Sequence, residues 1–461
     1  MKDIPVRTIL LLPLLLLTAC AVGPEYRPPE ARLPTQFSEA AATGQWHVAQ
    51  PGELKVPARW WSVFNDAELD RLEARVVLDN QTLKIAEAQY RAALAGVAAA
   101  NGARLPTVSA AAEVNRGRSA GVTGNSFGLS ASASWEIDLW GRVRRGIEQA
   151  QARAEASGDD LAAARLSTQA LLAQTWFQSH AAVLQRQLLL GALKDDARFL
   201  DITHSRHDAG MVSGLDVAQA EGQLNNDRAQ LSEIELQQAQ LEHALTALLG
   251  GSPVEVAESP LPPVPAPPEL LPSGLLEHRP DIAAAERLAA AANAQIGLAR
   301  VAYYPRLDLA ATAGLHSTVL DQLFNAPGRI WSLGPDLAAT LFDGGARDAA
   351  VEQARAGYDQ AVASYRQTVL AAFQEVQDNL SAARLLQREA AEQAQTLAAA
   401  RRAREIAEAQ YQAGTLGALN VLSAQATERA ALRGSVDIHN RRLAAAVVLL
   451  KNAGGRVAAL E

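Results

Sequence analysis

The chain has 461 residues, a length that would ordinarily provide about three domains. Alanine accounts for 95 residues and aromatic residues for only 5% of the chain, so the apolar content favours long, closely packed helices over three ordinary globules. The formal net charge of −8 without a dense basic block excludes an extended nucleic-acid-binding surface, and the single cysteine, Cys20, excludes an internal disulfide and a multi-cysteine metal site.

The first nineteen residues predict a secretory signal peptide, because a short basic segment precedes an apolar stretch at residues 9–17 that is too brief to span a membrane. The sequence Leu17-Thr18-Ala19-Cys20 resembles a bacterial lipobox, in which cleavage makes the cysteine the acylated N-terminus. An ordinary signal peptide followed by a chance cysteine is the alternative. We therefore predict Cys20 as the lipid attachment point of an N-terminal segment at residues 20–64, and Ala21 after it favours the outer membrane.

After a helical stretch at residues 65–103, the alternation of apolar and polar residues predicts a β-hairpin at about 105–138, and a second hairpin is predicted at about 305–342. Strands of about ten residues have the length of membrane-spanning strands, whereas a soluble sandwich with one wet face is the alternative. Four strands cannot close a barrel, which needs about eight, and open edges are not tolerated in lipid. A membrane-spanning sheet of this kind would therefore require oligomerisation.

Two proline-free segments, Gly141 to Ala209 and Gly345 to Ala413, each comprise 69 residues and predict helices about 100 Å long. A glycine follows each of them. The return segment from Leu215 to Leu249 keeps its apolar residues at a seven-residue spacing, which predicts a coiled-coil seam. Because the helix at 65–103 and this return segment together approach the length of one long helix, we predict that the two shorter helices stack end to end beside it.

The mature chain contains a tandem duplication. Glu148-Gln149-Ala150-Gln151-Ala152 matches Glu352-Gln353-Ala354-Arg355-Ala356, and Gly250-Gly251 matches Gly454-Gly455, both at an offset of 204 residues. We place the first repeat at 65–252 and the second at 273–455, followed by a tail at 456–461. The linker at 253–272 holds eight prolines in twenty positions, which excludes a helix or a central strand. We expect it to lie against the surface; a disordered tether is the alternative.

No catalytic motif occurs in the sequence. A P-loop, a His-Glu-x-x-His zinc motif and a G-x-S-x-G elbow are all absent. His204 and His207 lie three residues apart, but two solvated histidines without a third ligand are more often incidental than a metal site. We therefore expect no enzymatic activity, no cofactor and no metal.

Four short segments occur in a characteristic order along the chain: Val22-Gly23-Pro24-Glu25-Tyr26-Arg27-Pro28, Trp60-Trp61-Ser62-Val63-Phe64-Asn65-Asp66, Arg279-Pro280-Asp281-Ile282 and Tyr411-Gln412-Ala413-Gly414. With the duplication, hairpins and lipobox, they resemble the TolC-like outer membrane factors, and more closely the NodT/OprM-like lipoprotein branch that serves resistance-nodulation-division (RND) efflux systems. The resemblance implies a mainly α protein with a transmembrane β part: an internally duplicated protomer of long coiled-coil helices plus four β-strands. It also implies a homotrimer whose 12-stranded β-barrel is continued by a periplasmic α-helical barrel.

The resemblance implies an export duct that passively conducts substrates delivered by an inner-membrane RND-type pump and a periplasmic membrane-fusion adaptor. Its partners would include outer membrane lipid and no nucleic acid. A periplasmic coiled-coil scaffold lipoprotein without channel activity is the alternative, and the four amphipathic strands argue against it.

The resemblance also assigns roles to residues at the helical turns. The gate is implied near Asp216 and Tyr411, with Ser423 where many relatives carry an acidic residue. The adaptor-binding tips are implied at Gly210, Met211, Val212, Ser213, Gly214, Leu215, Gly414, Thr415, Leu416, Gly417, Ala418 and Leu419.

Overall fold

The computed structural model describes residues 22–31, 34, 37, 59–119, 121–267, 274, 275 and 279–453. Within these ranges the chain forms α-helices and one antiparallel sheet. The helices are α1 (Ala67–Asp79), α2 (Gln81–Gly102), α3 (Arg142–Asp208), α4 (Gly214–Leu248), α5 (Pro280–Val301), α6 (Ala346–Gln412) and α7 (Ala418–Ala453). The strands are β1 (Thr107–Ser119), β2 (Val122–Glu136), β3 (Arg306–Ser317) and β4 (Arg329–Ala338).

The first helical stretch is divided at Asn80, so the prediction of one helix over 65–103 is wrong. The backbone of Asn80 is extended, with φ −64° and ψ 126°. Its side-chain amide donates to the carbonyl oxygen of Leu248 at 2.9 Å, and its side-chain oxygen accepts from the amide of Leu83 at 3.1 Å. An asparagine that caps the following helix and also binds a distant carbonyl favours a helix boundary over continuation.

The helices α3 and α6 have 67 residues each and confirm the two predicted long helices. Return helix α4 has 35 residues. Its heptad positions are buried or half-buried, as a coiled-coil seam requires: Leu224, Leu231, Ile234, Leu241, Leu245 and Leu248. None of the described helices combines the length and the apolar composition needed to cross a membrane.

The four strands pair in the order β1-β2-β3-β4, with every neighbour antiparallel. The register places apolar residues of one strand beside apolar residues of the next, and polar residues beside polar residues. Each kind therefore forms rows that run across the sheet. One such row is Ala110, Ala131, Ala313 and Trp331, and the adjacent row on the opposite face is Ser109, Ser132, Thr312 and Ser332. The sheet therefore has an apolar face and a polar face, as the sequence predicts, and β1 and β4 are its two edges.

The chain divides into two compact units, and each combines parts of both repeats. The sheet unit comprises Met1–Ala31, Ala88–Asp160 and Ile282–Thr368; the tip unit comprises Arg32–Glu87, Leu161–Asp281 and Val369–Glu461. Because both units cross the boundary between the repeats, the duplicated sequence specifies a joint structure and not two separate domains.

One hydrophobic core of the tip unit is unusually aromatic for this chain. A 3₁₀-helix at Trp60–Phe64 contributes its three aromatic side chains to this core, which also contains Trp176 and Phe177 of α3. The linker joins the same core through Val254, and the carbonyl oxygen of Pro262 lies 2.8 Å from Nε2 of His439. The described part of the linker thus lies against the tip unit.

Candidate functional site

Both long helices end in the same kind of turn. The first tip (Gly210–Leu215) begins with Gly210 at φ +70°, and the second tip (Gly414–Leu419) begins with Gly414 at φ +74°. The amides of each glycine and of the next residue donate to carbonyl oxygens of the preceding helical turn, at 2.8 Å and 2.8 Å in the first tip and at 3.1 Å and 3.0 Å in the second. These bonds satisfy the otherwise unpaired carbonyls of the helix end, and the left-handed backbone requires glycine.

The two tips expose apolar side chains at the turns. Met211 is 70% exposed, Leu215 66% and Leu419 56%, whereas Val212 and Leu416 are half-buried. Ala418 differs from the other implied adaptor contacts, because its side chain is buried in a cluster with Phe199, Tyr411, Val421 and Leu422. Its place in the core removes Ala418 from the surface available for docking.

The three implied gate residues occupy different environments. The carboxylate of Asp216 accepts from the amide and the hydroxyl of Ser213, at 2.9 Å and 2.7 Å, and these bonds lower the Asp216 pKa. The ring of Tyr411 is buried, 5.5 Å from that of Phe199 and 4.4 Å from the guanidinium carbon of Arg206. Ser423 is exposed.

No hydrogen bond between described residues joins these three positions to one another. Among the residues that the structure describes, the phenolic oxygen of Tyr411 has no hydrogen-bond partner. Asp216 and its serine form a capping box at the start of α4, a local role. The gate assignment therefore stays a prediction.

A buried group of charges that the sequence analysis did not single out lies deeper in the tip unit. Asp196 of α3 and Asp227 of α4 have side chains only 1% and 3% exposed. Arg429 of α7 reaches both carboxylates, with nitrogen–oxygen distances of 2.8 Å to Asp196 and 3.5 Å to Asp227. We call these residues the carboxylate–arginine triad; it connects the hairpin α3–α4 to α7 of the second hairpin.

The triad contains two carboxylates and one guanidinium. Burial raises the pKa of Asp196 to about 6, Arg429 opposes this shift, and the neighbouring carboxylate of Asp227 adds to it. Gln223 donates to Asp227 at 2.9 Å, but the Oδ2 atoms of both aspartates have no hydrogen-bond partner within the described part of the chain. The group is therefore held together by one cation, and its charge changes in the mildly acidic range.

The sequence contained a usable signal for the triad. Asp227 precedes Ile234, Leu241 and Leu248 at successive seven-residue intervals, so that it occupies a seam position of the coiled coil. Asp196 and Arg429 likewise follow the buried residues Leu189 and Leu422 by seven. A charge at an apolar heptad position predicts a buried ion pair, although its partner cannot be identified from periodicity alone.

The sheet leaves large apolar side chains exposed on one face. Val108 is 71% exposed, Leu333 67% and Trp331 80%. From Leu307 to Leu315 the strand rises about 27 Å, close to the height of the apolar band of a membrane barrel. Aromatic residues occur near both ends: Trp135, Trp140, Tyr303, Tyr304 and Phe342 at the end that joins the helices, and Phe127, Phe324 and Trp331 towards the other.

The first described residues form a strap (residues 22–26) on the sheet unit. The amide of Val22 donates to the carbonyl oxygen of Trp140 at 3.1 Å, and Asn293 donates to that of Pro24 at 3.1 Å. Gly23 has φ +112°, and a Cβ atom there would lie 2.6 Å from Cα of Gly297. Only glycine permits this close passage.

The strap is fixed at its other end by the half-buried Tyr26. The hydroxyl of Tyr26 donates to the carboxylate of Glu286, and burial followed by that bond raises the Tyr26 pKa. Cys20, the predicted lipid attachment point, lies outside the described residues, two positions before Val22.

The histidines near the first tip are not gathered into a ligand set. His204 lies 3.8 Å from a carboxylate oxygen of Glu221, and Nδ1 of His207 lies 3.1 Å from the carbonyl oxygen of Val212. Among the residues that the structure describes, no group of three or more histidine, cysteine, aspartate or glutamate side chains could hold a metal ion.

Comparison with known proteins gives consistent relationships. The model of the family described as "Outer membrane efflux protein" matches residues 75–251 and 271–455, one match for each repeat. The pyoverdine export outer membrane protein OpmQ of Pseudomonas aeruginosa is 33% identical over 438 residues, covering 91% of this chain and 92% of that protein. The outer membrane protein OprJ of the same organism is 32% identical over 458 residues, covering 96% and 94%.

A solved structure of the outer-membrane channel OprN superimposes on this chain with a TM-score of 0.85 and 30% identity. The match covers 95% of this chain and 99% of the other. The fold is therefore shared over nearly the whole length of both chains.

Proposed function

Since this chain belongs to the outer membrane efflux protein family, we propose that it is the export duct through which an inner-membrane pump of the RND type and a periplasmic adaptor release their substrates. It is an outer-membrane efflux channel with a mainly helical fold and a four-stranded sheet. The duct is passive, and the pump supplies the energy and selects the substrate.

The observation that carries this proposal is the sheet. It exposes a predominantly apolar face, with Arg329 at the start of β4, and carries hydroxyl and charged residues on the other face. Among the described residues, β1 and β4 are its edges and each pairs with a strand on one side only. Lipid does not tolerate open edges, and a closed barrel needs about eight strands or more. Three copies of the four-stranded sheet would supply twelve strands, pairing β1 of one protomer with β4 of the next. The polar faces would then line a water-filled lumen.

The adaptor docks on the tips in this proposal. Exposed apolar side chains at a surface turn are typical of binding surfaces, and Met211, Leu215 and Leu419 provide them. Asp216, Tyr411 and Ser423 remain the proposed gate positions. The triad adds a contact that must rearrange if the two hairpins separate, because it joins α3, α4 and α7.

Acylation of Cys20 completes the proposal. The strap holds residue 22 beside Trp140 at the helical end of the sheet. A lipid two residues earlier would lie within about 7 Å of that point, since an extended chain spans at most about 3.5 Å per residue. The anchor and the sheet would thus meet the membrane at the same level.

The test places one charge on each face of the same strand. Leu333 and Ser332 are adjacent in the middle of β4 and belong to opposite faces. Leu333→Arg should prevent insertion into planar bilayers, because a basic residue facing the membrane midplane costs about 2–4 kcal/mol in each copy.

Ser332→Arg is the matched control. It should insert, conduct and shift the reversal potential in a salt gradient towards anion selectivity, since its charge would lie in the lumen. Absence of conductance from the wild type and Ser332→Arg alike, or equal insertion of both variants, would refute the duct.

A further inference from the structure

A cavity of about 600 Å³ lies in the sheet unit, where α5 ends and α6 begins. Its polar lining comprises Arg300, Tyr303, Asp348, Glu352 and Arg355. Strand β3 begins at Arg306, three residues after Tyr303, so the cavity borders the helical end of the sheet. The efflux function derived above does not use it.

The charges of this cavity are only partly satisfied by one another. The guanidinium of Arg300 takes part in no hydrogen bond or ion pair between described residues. Arg355 and Glu352 approach to 3.5 Å, but their side chains are 52% and 75% exposed, and such ion pairs are weak. Two guanidinium groups and two carboxylates therefore line the cavity, so that a ligand bound there could pair with groups of both charges.

One wall of the cavity consists of side chains that bind one another. The hydroxyl of Tyr303 donates to the carboxylate of Asp348. The guanidinium carbon of Arg347 lies 5.2 Å from the centre of the Tyr303 ring, and Arg347 is itself bound to Asp343. Asp348 is consequently committed to Tyr303, which leaves Arg300, Arg355 and Glu352 to interact with a ligand.

The position of the cavity indicates where a ligand would come from. Tyr303 and Tyr304 belong to the aromatic residues at the helical end of the sheet, and membrane barrels carry such residues at the level of the lipid headgroups. The face of α5 that binds the strap, through Glu286, Asn293 and Gly297, continues one turn later at Arg300.

We propose that this cavity binds the phosphoethanolamine headgroup of a membrane phospholipid, with Arg300 and Arg355 on the phosphate and Glu352 on the ammonium. The proposal rests on the membrane placement of the sheet proposed above. A zwitterionic headgroup matches a lining of mixed charge, whereas free phosphate would meet the carboxylate of Glu352 without compensation. A choline headgroup could not donate hydrogen bonds to that carboxylate.

The test uses the delipidated full-length protein in detergent and titrates it with dihexanoylphosphatidylethanolamine, counting bound lipid by native mass spectrometry. The double variant Arg300→Ala/Arg355→Ala should bind this lipid at least about tenfold more weakly, because it loses two charge-assisted contacts. Arg153→Ala, which removes an exposed arginine of the same unit outside the cavity, should bind like the wild type. Glu352→Gln should lose the preference for this lipid over dihexanoylphosphatidylcholine.

Three results would overturn the site. The first is unchanged binding by the double variant, and the second is equal affinity of the wild type for inorganic phosphate. The third is a variant that alters only the trimer-to-monomer ratio, which would make the cavity a contact between copies. The outcomes are separable from those for the duct. A protein that binds the lipid but does not conduct refutes the duct alone, and one that conducts while the double variant binds normally refutes the site alone.

Discussion

Replacing Arg429 by methionine should loosen the contact between the two helical hairpins in the tip unit. Methionine keeps much of the arginine stem but removes the charge. The structure then retains two carboxylates, 1% and 3% exposed, without the cation that lies 2.8 Å and 3.5 Å from them. Breaking a buried ion pair from one side typically costs about 3–5 kcal/mol, because the remaining charge stays desolvated.

The stability lost in Arg429→Met should depend on pH, since Asp196 has a folded-state pKa of about 6 against an ordinary value of 3.8. A raised pKa means that the folded state binds the proton more tightly, so the contribution of Asp196 to stability falls as pH rises through about 6. At pH 5 a protonated Asp196 can donate to Asp227, and the cost of Arg429→Met should fall to about 1–3 kcal/mol. At pH 8 we expect the full 3–5 kcal/mol.

The assay is hydrogen–deuterium exchange of peptides covering the triad in α3, α4 and α7, corrected for the intrinsic pH dependence of exchange, because local opening is measured there directly. Asp196→Asn should abolish the pH dependence between 5 and 8. Arg441→Met removes an arginine from an exposed pair with Glu389, 50% and 45% exposed, and should change local stability by less than about 1 kcal/mol. If Arg429→Met behaved like Arg441→Met at pH 8, the triad would not join the hairpins.

Three further predictions concern the strap, the tips and the lipid. Gly23→Ala should detach the strap and abolish the hydrogen-exchange protection of residues 22–26, because the new Cβ would lie 2.6 Å from Cα of Gly297. The control is Gly121→Ala, at φ +84° with open space around it. It introduces backbone strain without a clash and should leave the strap protected. Met211→Asp combined with Leu419→Asp should weaken co-purification of the adaptor at least about tenfold, and Leu236→Asp, exposed on α4, should not; equal losses would refute docking at the tips. Cys20→Ser should abolish metabolic labelling with a fatty acid, and an unchanged labelled band would contradict acylation.

The faces of the four strands were predicted correctly from the alternation of apolar and polar residues. Alternation along each strand assigned the faces of β1 to β4, and the observed register aligns those faces across the whole sheet. The same holds for the two long helices and for the glycines that end them. These features could be predicted because side-chain period and backbone conformation are set by neighbours in the sequence.

At Asn80 the local sequence pattern gave the wrong prediction. Its surroundings have helical periodicity, but its amide binds the carbonyl oxygen of Leu248, 168 residues away, and the helix is divided there. The resemblance placed Ala418 among the adaptor-binding tips, yet the fold buries it in a cluster that includes Phe199 of α3. In both cases a distant element decided the outcome.

By itself, the sequence determined the repeat, the two long helices, the two faces of the sheet and the position of both tips, because each depends on a period or a turn residue that can be read locally. Only the tertiary structure decided which charges meet in the triad, how the strap passes Gly297, and that Arg300 and Arg355 line one cavity. Such groupings join residues tens to hundreds of positions apart, and their energies arise from burial and close approach, which no periodicity along the chain specifies.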